Sequence, residues 1–356
     1  MANKRIYFAC TLPAFSKDGL QSYVAAHGVQ SIGITTSFGT EPVFELGQIR
    51  IYENVENIPD IEVSMEKVLD GYPLLWHLAT RGSATSDLAA RSNAKCGVVL
   101  DIFPDTNNSA SGQPSSEIYM SGLYASSHSI KISTDGNCTE SITMVGNHKI
   151  WKAGSNAVFS GNFDNTDRPL ALVYNSGGVQ RREDVIFTPT VATLDVNNQV
   201  NASSTAVFTV LPPDVAGISS SGTNVLVNGG TEYSCSINSI NVSVNLGRDQ
   251  ILELGRKSPY FRYVTFPVEV TSEIEIISKS GDWVSAQENG IYSGDNTRSA
   301  TIKIGLRDGT FIDLGTTNRL TNITVGGGDT GGGNQTVTYS FSTYNDYTIY
   351  HPQDPG

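Results

Sequence analysis

Apolar and small polar residues alternate in matching stretches of both halves of the chain. Residues 32–38 read Ile-Gly-Ile-Thr-Thr-Ser-Phe and residues 240–246 read Ile-Asn-Val-Ser-Val-Asn-Leu, the period of a half-buried strand. Further strands are predicted over 61–68 and 268–276, and a strand pair closes each half: 129–132 with 141–145, and 322–325 with 336–341. Asp70 is expected to cap a short helix over residues 74–79. The pattern therefore predicts a mainly β protein with a short flanking helix.

The two halves also match each other in sequence at a nearly constant spacing. Residues 30–59 align with 238–267, which sets Glu45-Leu46-Gly47 against Glu253-Leu254-Gly255. After the matched prolines, Pro59 and Pro267, the second copy is aligned with one residue fewer. The match then continues and sets Trp76 against Trp283. Matched Trp, Pro and Glu-Leu-Gly at one spacing indicate tandem duplication rather than shared composition. The candidate repeat-core residues are Ile32, Leu46, Trp76, Ile240, Leu254 and Trp283.

This duplication predicts three regions. Residues 1–150 form a first β domain with an N-terminal arm, and residues 236–356 form the second. Residues 151–235 are rich in Asn, Ser, Gly and Pro but contain apolar runs, so we expect a β-rich connecting region rather than a flexible linker.

The composition and the motifs argue against a nucleic-acid-binding surface and against a catalytic or metal site. Net charge is −12, and residues 41–70 carry eight acidic side chains against Arg50 and Lys67, whereas binding to phosphates calls for a basic patch. The chain has neither an H-E-x-x-H nor a G-x-S-x-G motif, and its four cysteines form no C-x-x-C pair. We therefore expect no enzyme activity, no metal and no cofactor. Without an apolar stretch of about 18 residues, no membrane contact is expected either.

Several stretches of the chain resemble the tail tube proteins of tailed bacteriophages. They are residues 29–38, 43–47, 58–63 and 67–75 in the first half, and 239–248 and 266–270 in the second. The resemblance implies a β-sandwich or half-barrel with a flanking helix, here in two tandem copies. In that family six such domains form a ring, and stacked rings conduct the genome.

For a duplicated chain, the resemblance implies homotrimeric rings with pseudo-sixfold symmetry. The partners would be further copies and other tail proteins, and viral DNA would pass without specific binding. The protein would be assembled in the host cytoplasm and reside in the virion tail. Two alternatives stay open: a baseplate hub or tube-end protein of the same tail, and a β-sandwich adhesin or carbohydrate-binding module.

The acidic cluster supplies the candidate site residues Glu53, Glu56, Glu62 and Glu66. One interpretation places them on the wall of the lumen, where carboxylates would keep DNA from adhering. The other places them at subunit joints, paired with Lys or Arg. Glu62 and Glu66 are an even number of residues apart, so they share one strand face, and Val63 lies on the opposite face.

Overall fold

The structure, a computed structural model, describes the larger part of the chain. The described residues are 6, 8–17, 23–81, 83, 86–104, 114–153, 178–187, 208–212, 215, 227–228, 232–233, 237–256, 258–277, 299–327, 333–352 and 354. Most of the predicted connecting region, and Trp283, lie outside them.

Strands dominate the first half of the chain, as the alternation predicts. The strands are β1 (Thr11–Lys17), β2 (Tyr23–Ala25), β3 (Val29–Ser37), β4 (Thr40–Phe44), β5 (Ile51–Glu56), β6 (Asp60–Val68), β7 (Cys96–Ile102), β8 (Ser116–Ser133), β9 (Thr139–Gly146) and β10 (His148–Ala153). The described residues also form two short helices, α1 (Leu75–Ala79) and α2 (Leu88–Ser92). Single 3-10 turns occur at Phe8–Cys10 and Arg182–Asp184.

After β10, the regular secondary structure of the described residues is made up of strands and the second 3-10 turn. The strands are β11 (Val227–Asn228), β12 (Glu232–Tyr233), β13 (Ile237–Asn245), β14 (Asp249–Ile251), β15 (Phe261–Tyr263), β16 (Glu269–Ile277), β17 (Lys303–Gly305), β18 (Phe311–Asp313), β19 (Arg319–Gly326), β20 (Thr336–Tyr344) and β21 (Thr348–Tyr350). The predicted mainly β fold is confirmed, and all strand pairs between these elements are antiparallel.

One long antiparallel sheet joins the two halves. Its order is β3-β6-β9-β8-β13-β16-β20-β19, so four strands of the first half are followed by four of the second in the same internal order. The halves meet where β8 pairs with β13, with Ile132 opposite Ile240 and Ser129 opposite Ser243. We call this β8–β13 contact the internal joint. The N-terminal part of β8 leaves the long sheet and pairs with β7 and β10.

Irregularities of the sheet recur at matching places in the two halves. A bulge at Gln30 in β3 has its counterpart at Asn238 in β13, and a bulge at Ser126 in β8 has its counterpart at Thr321 in β19. A bulge changes the local twist and is a designed feature of a strand. Two matched bulges in one strand order support the duplication expected from the sequence.

The strand register corrects one detail of the sequence match. Ser31 lies opposite Glu66, and its counterpart Ser239 lies opposite Glu275. Glu66 therefore corresponds to Glu275, not to Glu273, so the second copy has one residue more after the proline rather than one less. The two alignments differ by two residues, and a shift of two leaves every side chain on its predicted face.

Helix α1 begins where the sequence predicts, but its cap comes from elsewhere. The carboxylate of Glu140 in β9 accepts the backbone N–H groups of Leu75 and Trp76, both at 2.8 Å. Asp70 instead accepts the N–H of Tyr72 and pairs with Lys67. A free helix start leaves unsatisfied N–H donors, and a buried carboxylate satisfies them as well as a local side chain does.

The inward face of the long sheet forms one hydrophobic core that spans both halves. Trp76 on α1 packs in the same cluster as Val242, Ile274 and Tyr339 of the second half. A small sheet of β17, β18 and β21 contributes Ile304, Ile312 and Ile349 to it. Parts of the connecting region join this layer, because Val185 bridges to Leu306 and Val210 to Lys303.

Candidate functional surfaces

The outward face of the long sheet is a continuous polar surface. Along β6 the burial alternates strictly, so Glu62 and Glu66 are exposed while Val63 and Met65 are buried. The strand pairs place small polar side chains beside them: Ser31, Thr35, Ser127, Ser129, Ser141, Thr143, Asn241, Ser243, Thr271, Thr338, Ser340, Ser342, Asn322 and Thr324. We call this the polar face.

Negative charge predominates on the polar face. Its carboxylates are Asp60, Glu62, Glu66, Glu269, Glu273 and Glu275, and its cationic side chains are Lys131 and Arg319. Hydroxyl groups cover most of the rest of this face. A surface of this kind has weak attraction for a phosphate backbone, since binding to DNA depends on Lys and Arg contacts that release counterions.

The other two acidic candidates lie on a different element. Glu53 and Glu56 belong to β5, which pairs only with β4 in a fully exposed hairpin. The structure therefore separates the four glutamates into two pairs: Glu62 and Glu66 on the polar face, Glu53 and Glu56 on the β4–β5 hairpin. The second half repeats this hairpin as β14–β15, with the same register: Val43 opposite Glu53 and Ile251 opposite Phe261.

The ends of both hairpins expose apolar side chains. Phe44, Leu46, Ile49 and Tyr52 protrude from the first, and Leu252, Leu254 and Tyr260 from the second. Leu46 and Leu254 were expected in the core but are each 104% exposed. Both sit in a turn in which the N–H three residues after the Glu donates to the Glu carbonyl. Gly47 and Gly255 follow with φ of +91° and +83°, so the repeated Glu-Leu-Gly is a turn motif.

The remaining repeat-core candidates differ in burial. Trp76 and Ile240 are buried at 1% and 2% exposure. Ile32 is only half-buried and packs at the margin of the core. The reason is its strand: β3 is an edge of the long sheet, whereas Ile240 lies on β13 at the internal joint.

The two edges of the long sheet are the places where the core is incomplete. At the internal joint Ile130, Ile132, Ile240 and Val242 are at most 5% exposed. Their counterparts Ile32 and Ile34 on edge strand β3 are half-buried, and Val325 on edge strand β19 is 55% exposed. Unpaired edges with exposed apolar side chains favour pairing with another strand.

The β14–β15 hairpin packs beside the internal joint against the first half of the chain. Phe261 meets Tyr124 edge-on, with ring centroids 5.7 Å apart. Arg262 is nearly buried and donates to Asp60 at 2.5 Å and to Asn147 at 2.9 Å. Arg248, at the base of the hairpin, donates to the carbonyls of Ala125 and Ser92.

A buried polar network lies beneath α1. Glu140 accepts a hydrogen bond from His128 Nε2 at 2.8 Å, and His128 Nδ1 lies 2.5 Å from the hydroxyl of Tyr347. Burial alone would raise the pKa of Glu140, but the hydrogen bond and charge of His128, the charge of Lys67 and the N–H of Trp76 lower it. Burial raises the pKa of Tyr347 well above its usual value. These groups are enclosed, so the network holds α1 and the C-terminal strand together.

A second network ties the C-terminal residues to the first half. Asp354 pairs with Arg91 at 2.6 Å, and Nε2 of the buried His77 lies 3.1 Å from the carbonyl of Ile349. Burial lowers the pKa of His77 to about 4. Burial and then the charges of His77 and Lys67 lower the pKa of His351 to about 3.

Glu140, His128 and Arg262 were not among the sequence candidates. A signal for Glu140 does exist, because it occupies an inward position of an alternating strand, in step with Ile142 and Met144. A charged residue at such a position must have a partner. Nothing local in the sequence indicates the partner of Arg262, since Asp60 is about 200 residues away.

Comparison with known protein families finds a match over a stretch that includes both β3 and β6. Residues 22–70 match the family model of the Phi812 tail tube protein. This stretch is similar to tail tube proteins. The resemblance predicted from the sequence is thereby confirmed, and the match supports a structural protein of a virion tail. The matched residues contain Glu53, Glu56, Glu62 and Glu66.

Two solved structures show weaker similarity. One is the cap that terminates the tube of the anti-feeding prophage, with 9% identity and a TM-score of 0.32 over 43% of this chain and 95% of the other. The other is the sixfold-symmetrised baseplate of the anti-feeding prophage, with 8% identity and a TM-score of 0.30 over 42% and 97%. Neither similarity is high enough to carry an argument. Comparison with curated proteins finds no match.

Two further features concern the described residues only. Within them, no group of three or more His, Cys, Asp or Glu side chains is arranged to hold a metal ion. No helix in the described part of the chain is long and apolar enough to span a membrane.

Proposed function

We propose that this protein is the subunit of a tail tube, in which copies of the chain close into rings and the rings stack. The internal joint is the observation that carries this proposal. It joins two four-stranded units of the same order, and it leaves the equivalent edges β19 and β3 unpaired among the described residues. An edge of one chain can therefore pair with the opposite edge of the next in the way that β8 pairs with β13.

Transferring the internal joint to the two edges gives a register between chains. Ser243 pairs with Ser129 inside the chain, and their counterparts are Thr35 on β3 and Thr324 on β19. Thr35 of one chain would lie opposite Thr324 of the next, and Ile34 opposite Val325. This pairing covers the half-exposed apolar side chains at both edges and removes the open edges altogether.

The sheet width favours three chains in a ring. Each chain contributes the eight strands of the long sheet. At a spacing of about 4.8 Å, three chains give a backbone diameter of about 37 Å before strand tilt, whereas two chains give about 24 Å. Only the wider ring leaves room for a DNA duplex once side chains are added. Six similar four-stranded units in three chains also account for pseudo-sixfold symmetry.

The polar face would then line the lumen, because the opposite face carries the core, α1 and the small sheet. Its hydroxyl groups and its excess of carboxylates suit a conduit that must not hold DNA. The exposed apolar ends of the β4–β5 and β14–β15 hairpins are the surfaces available for contact with a neighbouring ring. Assembly would take place in the host cytoplasm before the tail is completed.

Cysteine cross-linking tests both the ring and its register. The pair Thr35→Cys and Thr324→Cys, in a Cys235→Ser background, should form disulfides between chains, since opposed antiparallel residues lie within disulfide reach. Under denaturing conditions the linked species should extend to three chains and no further. The matched control, Ser129→Cys with Ser243→Cys, should close within one chain.

The register has its own control. Thr35→Cys with Asn322→Cys moves the second cysteine by two positions on the same face, and it should link poorly. Linked species of up to six chains would show that the ring is a hexamer and not a trimer. If the purified protein stays monomeric by native mass spectrometry and by negative-stain microscopy, the tube assignment is refuted.

A further inference from the structure

The internal joint also shows how a hairpin of one half sits on the neighbouring half. Three positions of β14–β15 and its flank are engaged there: Phe261 is half-buried against Tyr124, Arg262 is 6% exposed, and Val264 is 7% exposed. By the shared hairpin register, the counterparts in the first half are Glu53, Asn54 and Glu56. These three are exposed, because within one chain no second half lies beside the β4–β5 hairpin.

The surface that would receive the β4–β5 hairpin is on the second half of the chain. Tyr124 pairs with Val145 in the first half, and Arg319 pairs with Ser342 at the matching place in the second. Likewise Asp60, which binds Arg262, corresponds to Glu269, which lies opposite Tyr344. Arg319 and Tyr344 are exposed, the latter at 55%, whereas Tyr124 at the internal joint is 4% exposed.

We propose that the β4–β5 hairpin of one chain docks on the β16–β20–β19 surface of a second copy of the chain, with Glu53 paired to Arg319. The inference rests on the ring proposed above. Where the internal joint has Phe261 against Tyr124, the joint between chains has a carboxylate against a guanidinium. Among the described residues, neither Glu53 nor Arg319 takes part in an ion pair within the chain.

The neighbouring position supports the same docking. Asn54 takes the place of Arg262 and Glu269 the place of Asp60, so an amide N–H faces a carboxylate where the internal joint has an ion pair. On the hairpin, the charged position therefore differs by one residue between the two joints: it is Arg262 at the internal joint, whereas Glu53 corresponds to Phe261. A hairpin with Glu53 therefore matches the charge of the surface with Arg319, which favours the joint between chains in this direction.

The joint between chains is the weaker of the two. Arg248, which holds the base of the β14–β15 hairpin to Ala125 and Ser92, has Thr40 as its counterpart, and Thr40 cannot span that distance. The Glu53–Arg319 pair takes the places that Phe261 and Tyr124 have at the internal joint, and mobile ions screen the attraction between the two surfaces as the chains approach. Ring formation should accordingly weaken as ionic strength rises, while the chain itself stays folded.

A charge-swap experiment tests the pair. Glu53→Arg alone and Arg319→Glu alone should each raise the apparent dissociation constant of the ring roughly tenfold at low salt, since each replaces an attraction by a repulsion. The double variant should return to within roughly threefold of the wild type. Sedimentation velocity at several concentrations measures the ring fraction, and circular dichroism checks the fold of each variant.

Glu45→Arg is the matched control, because Glu45 lies in the turn of the same hairpin and outside the joint. It should leave ring formation unchanged. If the wild type forms rings but the single variants assemble normally, or the double variant is no better than the singles, Glu53 does not face Arg319 and the pairing is wrong. If the wild type forms no rings at all, the tube assignment fails first and the pairing falls with it.

Discussion

Removing the buried imidazole of His77 should change how stability depends on pH. His77, on α1, is fully buried against the C-terminal residues, with Nε2 3.1 Å from the carbonyl of Ile349. Burial lowers its pKa from the ordinary 6.5 to about 4. Below pH 6.5 the unfolded chain therefore takes up a proton that the folded chain excludes. Stability conferred by the neutral imidazole is complete above pH 6.5 and decreases as pH falls towards about 4.

The size of the effect follows from the pKa difference. Each unit corresponds to about 1.4 kcal/mol, so His77 alone accounts for a loss of about 3 kcal/mol in the free energy of unfolding between pH 6.5 and pH 4. The His77→Gln variant can still donate a hydrogen bond to Ile349 but has no titrating group. Its free energy of unfolding should vary less over this range, by about that amount.

Urea unfolding at half-unit pH steps, followed by tryptophan fluorescence, measures the dependence. The comparison uses the change with pH and not the absolute stability, because the substitution also alters packing. His148→Gln, which removes an exposed histidine, should leave the wild-type profile unchanged. If His77→Gln lost stability with acid as steeply as the wild type, the proton would not be excluded at this site and the linkage argument would fail.

Three other variants test the core, the helix cap and the polar face. Trp76→Ala should lower the free energy of unfolding by roughly 3–5 kcal/mol, against little change for the exposed Trp151→Ala, as measured by denaturant unfolding. Glu140→Gln should cost roughly 3 kcal/mol or more, since three buried donors lose their charged acceptor; Glu66→Gln, at an exposed site, should cost almost nothing. Glu62→Lys with Glu66→Lys should leave ring assembly intact but slow genome ejection in a salt-dependent way. Failed assembly, with normal ejection from the few particles formed, would contradict a lumen position.

In the strands with clear alternation, the sequence alone showed which residues share a face. Alternation in β6, β13 and β16 predicted which side chains point inwards, because the pleat has a period of two whatever the partner strand is. The short helix expected over residues 74–79 was equally local, and the structure has it at Leu75–Ala79. Even the wrong one-residue deletion did no harm to these predictions, since it differed from the observed register by two.

Distances along the chain explain what sequence reasoning missed. The cap of α1 was assigned to Asp70, the nearest acidic side chain, although Glu140 on β9 accepts the N–H groups at the start of the helix. Leu46 and Leu254 were assigned to the core because they are repeated and apolar. Whether an apolar residue is buried depends on what covers it, and the Glu-Leu-Gly turn carries both leucines away from the sheet.

Sequence patterns alone were enough to predict the mainly β class, the strand residues that share a face and the acidic character of one strand face, and they are the basis for the expected duplication of the two halves. All of these follow from local periodicity, composition and self-similarity. The tertiary structure was needed to show that β8 pairs with β13, that β3 and β19 are the edges of the long sheet among the described residues, and that Glu53 and Glu62 lie on different surfaces. Pairing between distant strands depends on hydrogen bonds and packing that close over long stretches of chain, and no local pattern specifies which edge is joined to which.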